Sequence, residues 1–299
     1  MQNTPLVSVI CLCYNHEKFV EEALNSVINQ NYTNIELIIV DDFSIDNSVG
    51  IIANWLKKHP EINFISNQKN IGNTKSFNQA KAISKGNYLL DLAADDFLET
   101  DAIENLIKPF LENEKLGIVY GNSKWISEKN EFIKNTYNTE NYKKAKTTPK
   151  SGNIYEEIIG QKIELNSVAS LVKRDVFDVL NAYDENLMYE DLDLWFRASR
   201  IYPFEYVDKI ITNKRVLENS LGNQFFKPFN SRARKLNRTT FSIILKAVKL
   251  NNKKSENSSL LRRVHYEMEK CIKNYDLILF CKYALIELKL RFHLNLKKE

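Results

Sequence analysis

Glycine is scarce in this chain, eight among 299 residues, and none of the eight falls into a G-x-G-x-x-G or G-x-x-x-x-G-K-[ST] arrangement. That excludes the dinucleotide fingerprint and the Walker phosphate loop, which both need bare backbone against a pyrophosphate. Cysteine is sparser still: Cys11, Cys13, Cys271 and Cys281. Cys11 and Cys13 flank one residue of an apolar run and so follow each other along one strand face, a poor geometry for a disulfide. All four are read as reduced and structural, which suits a cytoplasmic chain. The histidines, His16, His59, His265 and His293, are scattered, with no pair at metal spacing. There is no zinc-finger spacing, no RNP-like aromatic motif and no long basic stripe, so nucleic acid is not expected as a partner. The longest apolar runs fall far short of the roughly 20 residues that a spanning helix requires. The start, Met1-Gln2-Asn3-Thr4-Pro5, lacks the basic-then-apolar order of a signal peptide, and a cytoplasmic location is expected.

What is present is an ordinary globular balance, 43% hydrophobic and 27% charged, in a length that suits one large domain or a domain with an appendage. Short β-rich runs at Leu6–Leu12, Ile35–Val40, Ile62–Ile65 and Tyr88–Leu92 alternate with helical stripes at Glu17–Asn29, Ser44–Lys58 and Thr74–Ser84. Asn15 is placed to cap the first helix. This rhythm predicts an α/β fold with a mostly parallel central sheet and helices on both faces. Right-handed crossovers then bring every strand's C-terminal end to one rim, where such sheets bind ligands. Tyr14-Asn15, Asp41-Asp42 and Asp95-Asp96 all fall at that rim. Beyond it come a helix at Ala102–Glu112, strands at Gly117–Tyr120 and Phe204–Ile211, and an extended run at Val168–Val172. The polar excursion over 127–153 has the length and composition of a lid.

Each acidic pair has two readings. Asp41 and Asp42 can accept hydrogen bonds from a base or ribose, or Asp42 can cap the next helix while Asp41 is a loop residue. Asp95 and Asp96 are oxygen ligands of the kind Mg²⁺ or Mn²⁺ prefers beside a diphosphate, or Asp96 is another N-cap. In Glu190-Asp191-Leu192-Asp193 the acids suit a helix start, while a carboxylate aimed at the rim can deprotonate a hydroxyl. Glu190 and Asp193, three apart, are expected to share a face.

Four stretches in order carry a family likeness: Pro5–Ile10 with Tyr14–Lys18; Glu36–Ser44 with Asp46–Ser48; Asn70–Asn73 through Asn78 and Gly86–Tyr88 to Asp96; and Glu190–Arg197. Over residues 5–220 the chain resembles the inverting family 2 glycosyltransferases of GT-A fold. The resemblance implies transfer of a sugar from a nucleotide-diphosphate sugar, UDP-sugar favoured, to a glycan or lipid-linked acceptor in surface polysaccharide or glycan synthesis. It implies that the backbone at Cys13, Tyr14 and Asn15, with Asp41 and Asp42, holds base and ribose, and that Asn70, Lys75 and Ala94 line the donor pocket. Asp95 would ligate a divalent metal, Mn²⁺ or Mg²⁺, and Asp191 would be the catalytic base, with Glu190, Asp96 and Arg215 as further candidates. Two departures stand out. The family's acidic-x-acidic motif reads Ala93-Ala94-Asp95, and a downstream Arg-x-His reads Arg215-Val216-Leu217 before Glu218-Asn219-Ser220. Weaker metal binding, or partial replacement of the metal by Lys or Arg, is one consequence. A non-catalytic binding or scaffold protein derived from a transferase is a second reading. A nucleotidyltransferase is a third, opposed by the lack of glycines around Tyr14–Lys18.

The catalytic region is expected over 1–231, with the nucleotide-sugar half in about 1–120 and the acceptor half in about 121–231. Residues 232–299 read as a basic helical appendage, with a polar break at Asn251–Ser259 and an apolar, basic run at Leu277–Leu294. It can pack on the catalytic region, on a second copy as a homodimer, or on the inner face of a membrane.

Overall fold

The computed structural model describes residues 4–138, 147–218 and 220–295. Its first half follows the alternation closely: β1 (Val7–Cys13), α1 (Val20–Ile28), β2 (Ile35–Asp41), α2 (Ser48–Leu56), β3 (Asn63–Ser66), α3 (Asn73–Ile83) and β4 (Tyr88–Ala93). Then come β5 (Phe97–Leu98), α4 (Ala102–Glu112), β6 (Ile118–Ile126), β7 (Phe132–Asn135), α5 (Tyr155–Ile159), β8 (Ser170–Lys173), α6 (Arg174–Val179), α7 (Asp191–Ala198) and β9 (Phe204–Arg215). The chain ends in α8 (Leu221–Gln224), α9 (Ser231–Leu250), α10 (Lys254–Lys273) and α11 (Leu277–Asn295).

One sheet runs β3-β2-β1-β4-β8-β6-β9-β5, with β7 on β6. It is parallel from β3 to β4, where strands and helices alternate, and mixed beyond, because β8 runs antiparallel to both β4 and β6. Two reversals bring β6 and β9 back to the direction of β4, so β9 delivers Lys214 and Arg215 to the rim where β1, β2 and β4 end. Side-chain alternation splits the strands between two cores. Val9, Cys11, Leu37 and Ile39 pack with α1, α2 and α4; Ile10, Leu12, Ile38 and Val40 face α3 and the second-half helices. All four cysteines are free.

Several local expectations are corrected. Asn15 does not cap α1: it adopts φ 58° and its side chain accepts from Ile45 N at 2.8 Å, so the helix starts only at Val20 after Phe19. The 127–153 excursion contains the β7 arm of a hairpin with β6; residues 139–146 of that expected lid lie outside the described residues, as does Asn219. The polar break after α9 is shorter than Asn251–Ser259, since α10 begins at Lys254, where the Glu256 carboxylate accepts from Asn252 N and Lys253 N.

The last three long helices dock on the sheet domain through one continuous core. Leu236, Ile243, Leu260, Val264 and Tyr283 pack in the same cluster as Ile158, Trp195 and Phe196. Polar ties reinforce it: the buried Arg263 guanidinium donates to Ile158 O and Ile159 O at 3.1 Å each, and Lys246 reaches Asp184 at 2.6 Å and Asp193 at 2.8 Å.

Candidate active site

Strand register assembles the site. Cys13 lies opposite Asp41 and Leu12 opposite Ala93, so the two Asp-Asp pairs stand on either side of the end of β1. Asp42 N donates to Cys13 O at 2.8 Å and the buried Ala94 N to Leu12 O at 2.9 Å, which splices both loops to β1. Burial pushes the Cys13 thiol up to about 12, so it is an inert wall. Tyr14 is 39% exposed beside it.

Neither carboxylate of the first pair caps a helix. Asp41 accepts from the Ser44 amide at 2.9 Å and from its hydroxyl, closing a tight turn in which Phe43 takes φ 66°. Asp42 anchors the following loop: it accepts from Asn67 Nδ2 at 3.0 Å and from the amides of Ile71 and Gly72 at 2.8 Å. Gly72 supplies the φ of 88° that this turn requires. Asn70 Nδ2 returns a bond to Asp42 O at 3.2 Å, and Lys75 stands exposed in the first turn of α3. Local backbone and side-chain donors thus take up both carboxylates and fix the loop between β3 and α3 at the rim. At the start of α2 it is Asp46 that accepts from Ser48 N, at 3.0 Å, so the capping reading of Asp42 is not met.

The second pair divides its work. Asp96 is buried and accepts from Arg215 N at 2.6 Å; burial first, then the neighbouring Asp95, pushes its carboxyl up to about 8. It does not cap α4, which begins after Asp101. Asp95 keeps a partly open side chain, 14% exposed, with His16 Nδ1 at 3.8 Å. That imidazole nitrogen is buried and has no hydrogen-bond partner among the described residues. Arg215, itself 1% exposed, is a clamp: it donates to Asp95 O, to the carbonyls of Ser127 and Glu128, to Asn130 and to Glu22. With its donors committed to protein, Arg215 cannot stand in for a metal at a phosphate.

A third acidic group gathers where β4 meets α7. Asp91 accepts from the Tyr183 hydroxyl at 3.2 Å, and burial, with the Asp191 charge nearby, lifts its carboxyl to about 7. Glu190 is buried with Oε2 unpartnered among the described residues, and burial followed by Asp91 and Asp191 raises it well above the carboxylate range. Asp191 opens α7 and is raised by burial, with Lys214 opposing the rise. The Lys214 ammonium also opposes the rise at Asp96 and Glu190, so one cation serves both acidic groups. Asp193 does not join Glu190: it turns the other way, 1% exposed, to Arg197 at 2.7 Å and Lys246 at 2.8 Å. Tyr183 and Lys214 went unrecognised in the sequence. Lys214 had a signal, a cation next to Arg215 at a strand end; Tyr183 had none.

The mixed α/β sheet gathers acidic side chains at its C-terminal rim, where sheets of this kind bind ligands. The sequence profile of Glycosyl transferase family 2 matches residues 8–169, more than half of the chain, and the chain belongs to that family. It is 29% identical over 215 residues to the chondroitin synthase of Escherichia coli and 27% identical over 214 residues to the hyaluronan synthase of Pasteurella multocida. Each match covers 72% of this chain but only 29% and 21% of those synthases. An uncharacterised glycosyltransferase of Haemophilus influenzae matches end to end, 26% identical over 100% of this chain and 97% of its own length. Among solved structures, S. aureus TarS 1-349 in complex with UDP-GlcNAc aligns with TM-score 0.68 at 15% identity, over 95% of this chain and 79% of that one. The mannosyltransferase PcManGT of Pyrobaculum calidifontis, in complex with GDP-Man and Mn²⁺, aligns with TM-score 0.61 at 14% identity over 98% and 84%. These two likenesses establish the GT-A-like fold.

Proposed function

We propose that this chain transfers a sugar from a nucleoside-diphosphate sugar, a UDP-sugar in the first instance, to a hydroxyl of a glycan or lipid-linked acceptor, with inversion, in surface polysaccharide or glycan synthesis. The observation that carries the reading is the position of Asp191. Its charge acts on the buried Asp91 and Glu190, and it borders a cavity of about 500 Å³ walled by Ile163, Leu165, Leu192, Trp195, Arg263 and Tyr266. A carboxylate whose proton affinity is raised by burial is a stronger base than an ordinary aspartate. An acceptor hydroxyl in the cavity gives its proton to Asp191 as its oxygen bonds to the anomeric carbon. The bond from that carbon to the diphosphate breaks from the opposite face, its electron pair leaving with the nucleotide. One displacement inverts the centre. The UDP-GlcNAc and GDP-Man complexes support the nucleoside-diphosphate-sugar donor, and the synthases named above support a glycan product.

A divalent cation fits the residues present. Asp95 is partly open, and the orphaned buried nitrogen of His16 lies 3.8 Å from it. No group of three His, Cys, Asp or Glu forms a complete ligand set among the described residues. Asp95, with His16 beside it, would therefore hold the ion together with diphosphate oxygens and water, as Mg²⁺ sites commonly do. When bound, the ion offsets the charge that develops on the leaving diphosphate.

Asp191→Asn tests the assignment. Turnover is expected to fall by about 10²–10⁴-fold with donor affinity nearly unchanged. Undiminished turnover removes Asp191 as the base. Thermal shift with UDP- and GDP-sugars tests the metal: Mn²⁺ is expected to enlarge the donor-induced rise in melting temperature, and less so in His16→Ala. A rise indifferent to Mn²⁺ overturns the metal bridge.

A further inference from the structure

Helix α11 is apolar on two opposite sides. Its inner stripe, Leu279, Tyr283, Ile286 and Leu290, is at most 6% exposed. Its outer stripe, Ile278, Leu285, Leu288 and Phe292, is 64–70% exposed, with the exposed Cys281 completing the alternating three- and four-residue spacing. The patch continues around the turn into α11. Tyr275, 65% exposed, stacks on Phe229, 73% exposed, with ring centroids 5.1 Å apart, and Ile272 beside them is 58% exposed. A helix apolar all round is normally covered all round, and a continuous exposed patch of this kind marks a binding surface.

Charge identifies the occupant. Lys282 and Lys289 each follow a stripe residue, on its flank, and Lys273 precedes the turn; all three are exposed. Of the acids nearby, Glu287 is paired with His265 at 3.0 Å and Arg291 at 2.7 Å and Asp276 accepts from Leu279 N at 3.1 Å, which leaves the exposed Glu269 against the three lysines. A second copy packed across a twofold axis would set this lysine-bordered face against itself. An anionic lipid surface is complementary: headgroups meet the lysines, the stripe enters the acyl boundary and the aromatic pair lies at the headgroup level. No helix among the described residues is long and apolar enough to cross a membrane, so the contact would lie in the interface plane. We infer that the outer face of α11, with the Phe229–Tyr275 pair, is a docking surface for an anionic lipid membrane. This goes beyond the proposed reaction, and its test needs no turnover.

The full chain is floated with vesicles of phosphatidylcholine alone or with about one-third phosphatidylglycerol. It is expected to bind only the anionic vesicles and to dissociate in about 0.5 M salt. Lys282→Gln with Lys289→Gln should weaken binding on the order of 30-fold. Leu285→Glu with Leu288→Glu should abolish it, with the melting temperature of both variants unchanged because the sites are exposed. Failure to bind anionic vesicles overturns the inference, as does binding that neither variant weakens. A concentration-dependent dimer that Leu285→Glu with Leu288→Glu dissolves, in a chain that ignores vesicles, assigns the face to a second copy instead.

Discussion

Asp91 sits inside β4 with the Tyr183 hydroxyl as its donor, and its carboxyl holds a proton up to about pH 7. In the unfolded chain the same group titrates near 3.9. Between those values the folded state binds a proton that the unfolded state does not, so the stability linked to Asp91 is full below about pH 4 and is lost as pH rises through 7. Glu190 and Asp191 are raised too and act with the same sign. Asp184 and Glu256 are lowered; their contribution is present above the usual carboxylate range and is lost only as pH falls below it. The ligand-free protein should therefore melt at progressively lower temperature as pH is raised from 5 to 7.5, against the habit of most domains. Asp91→Asn should flatten that slope, because the amide still accepts from Tyr183 and carries no proton to lose. A melting temperature that climbs steadily across this range in the parent protein would contradict the burial of these acids.

Within α7, neighbouring acids do opposite things, and helical phase decides which. Asp191 faces the rim and the cavity, while Asp193 holds Arg197 and Lys246 together under α9. Asp193→Asn leaves Arg197 facing a neutral amide in a buried position, while Lys246 keeps Asp184, and is expected to cost about 2 kcal/mol in urea unfolding. Asp191→Asn removes a carboxylate that folding penalises, so it should leave stability unchanged or slightly higher while turnover collapses. The contrast indicates what a sequence can carry. The β-α alternation from Val7 to Ala93 was legible because each element there is long enough to show its period, and strand ends located Asp41, Asp42 and Asp95 at one rim. The extended run at Val168–Val172 matches β8, but nothing local records its antiparallel pairing, and the short α5, α6 and α8 carry too little period to be read. Spacing put Glu190 with Asp193, but the first turn of a helix leaves its phase undefined until packing fixes it. The Arg215 clamp joins residues up to 193 positions apart, and no local pattern records a contact of that span.

At the scale of the whole molecule, the C-terminal helices are built into the catalytic core. Leu236, Ile243, Ile244, Leu260, Val264, Leu279, Tyr283 and Leu290 are each no more than 3% exposed and pack in one cluster with side chains of α5 and α7. At roughly 1.5–3 kcal/mol for burying each such side chain, these eight contribute as much as or more than the roughly 5–15 kcal/mol that a domain retains in total. The chain should accordingly unfold in a single calorimetric transition, and a fragment ending at residue 231 should fail to fold, despite containing the entire family-matched segment 8–169. The consequence reaches the cavity beside Asp191 through Arg263, which lines it and holds the carbonyl of Ile158 in its wall and that of the neighbouring Ile159. Two transitions in the full chain, or a soluble 1–231 fragment melting as the parent does, would mean that the helices are an added module and that the cavity beside Asp191 stands without them.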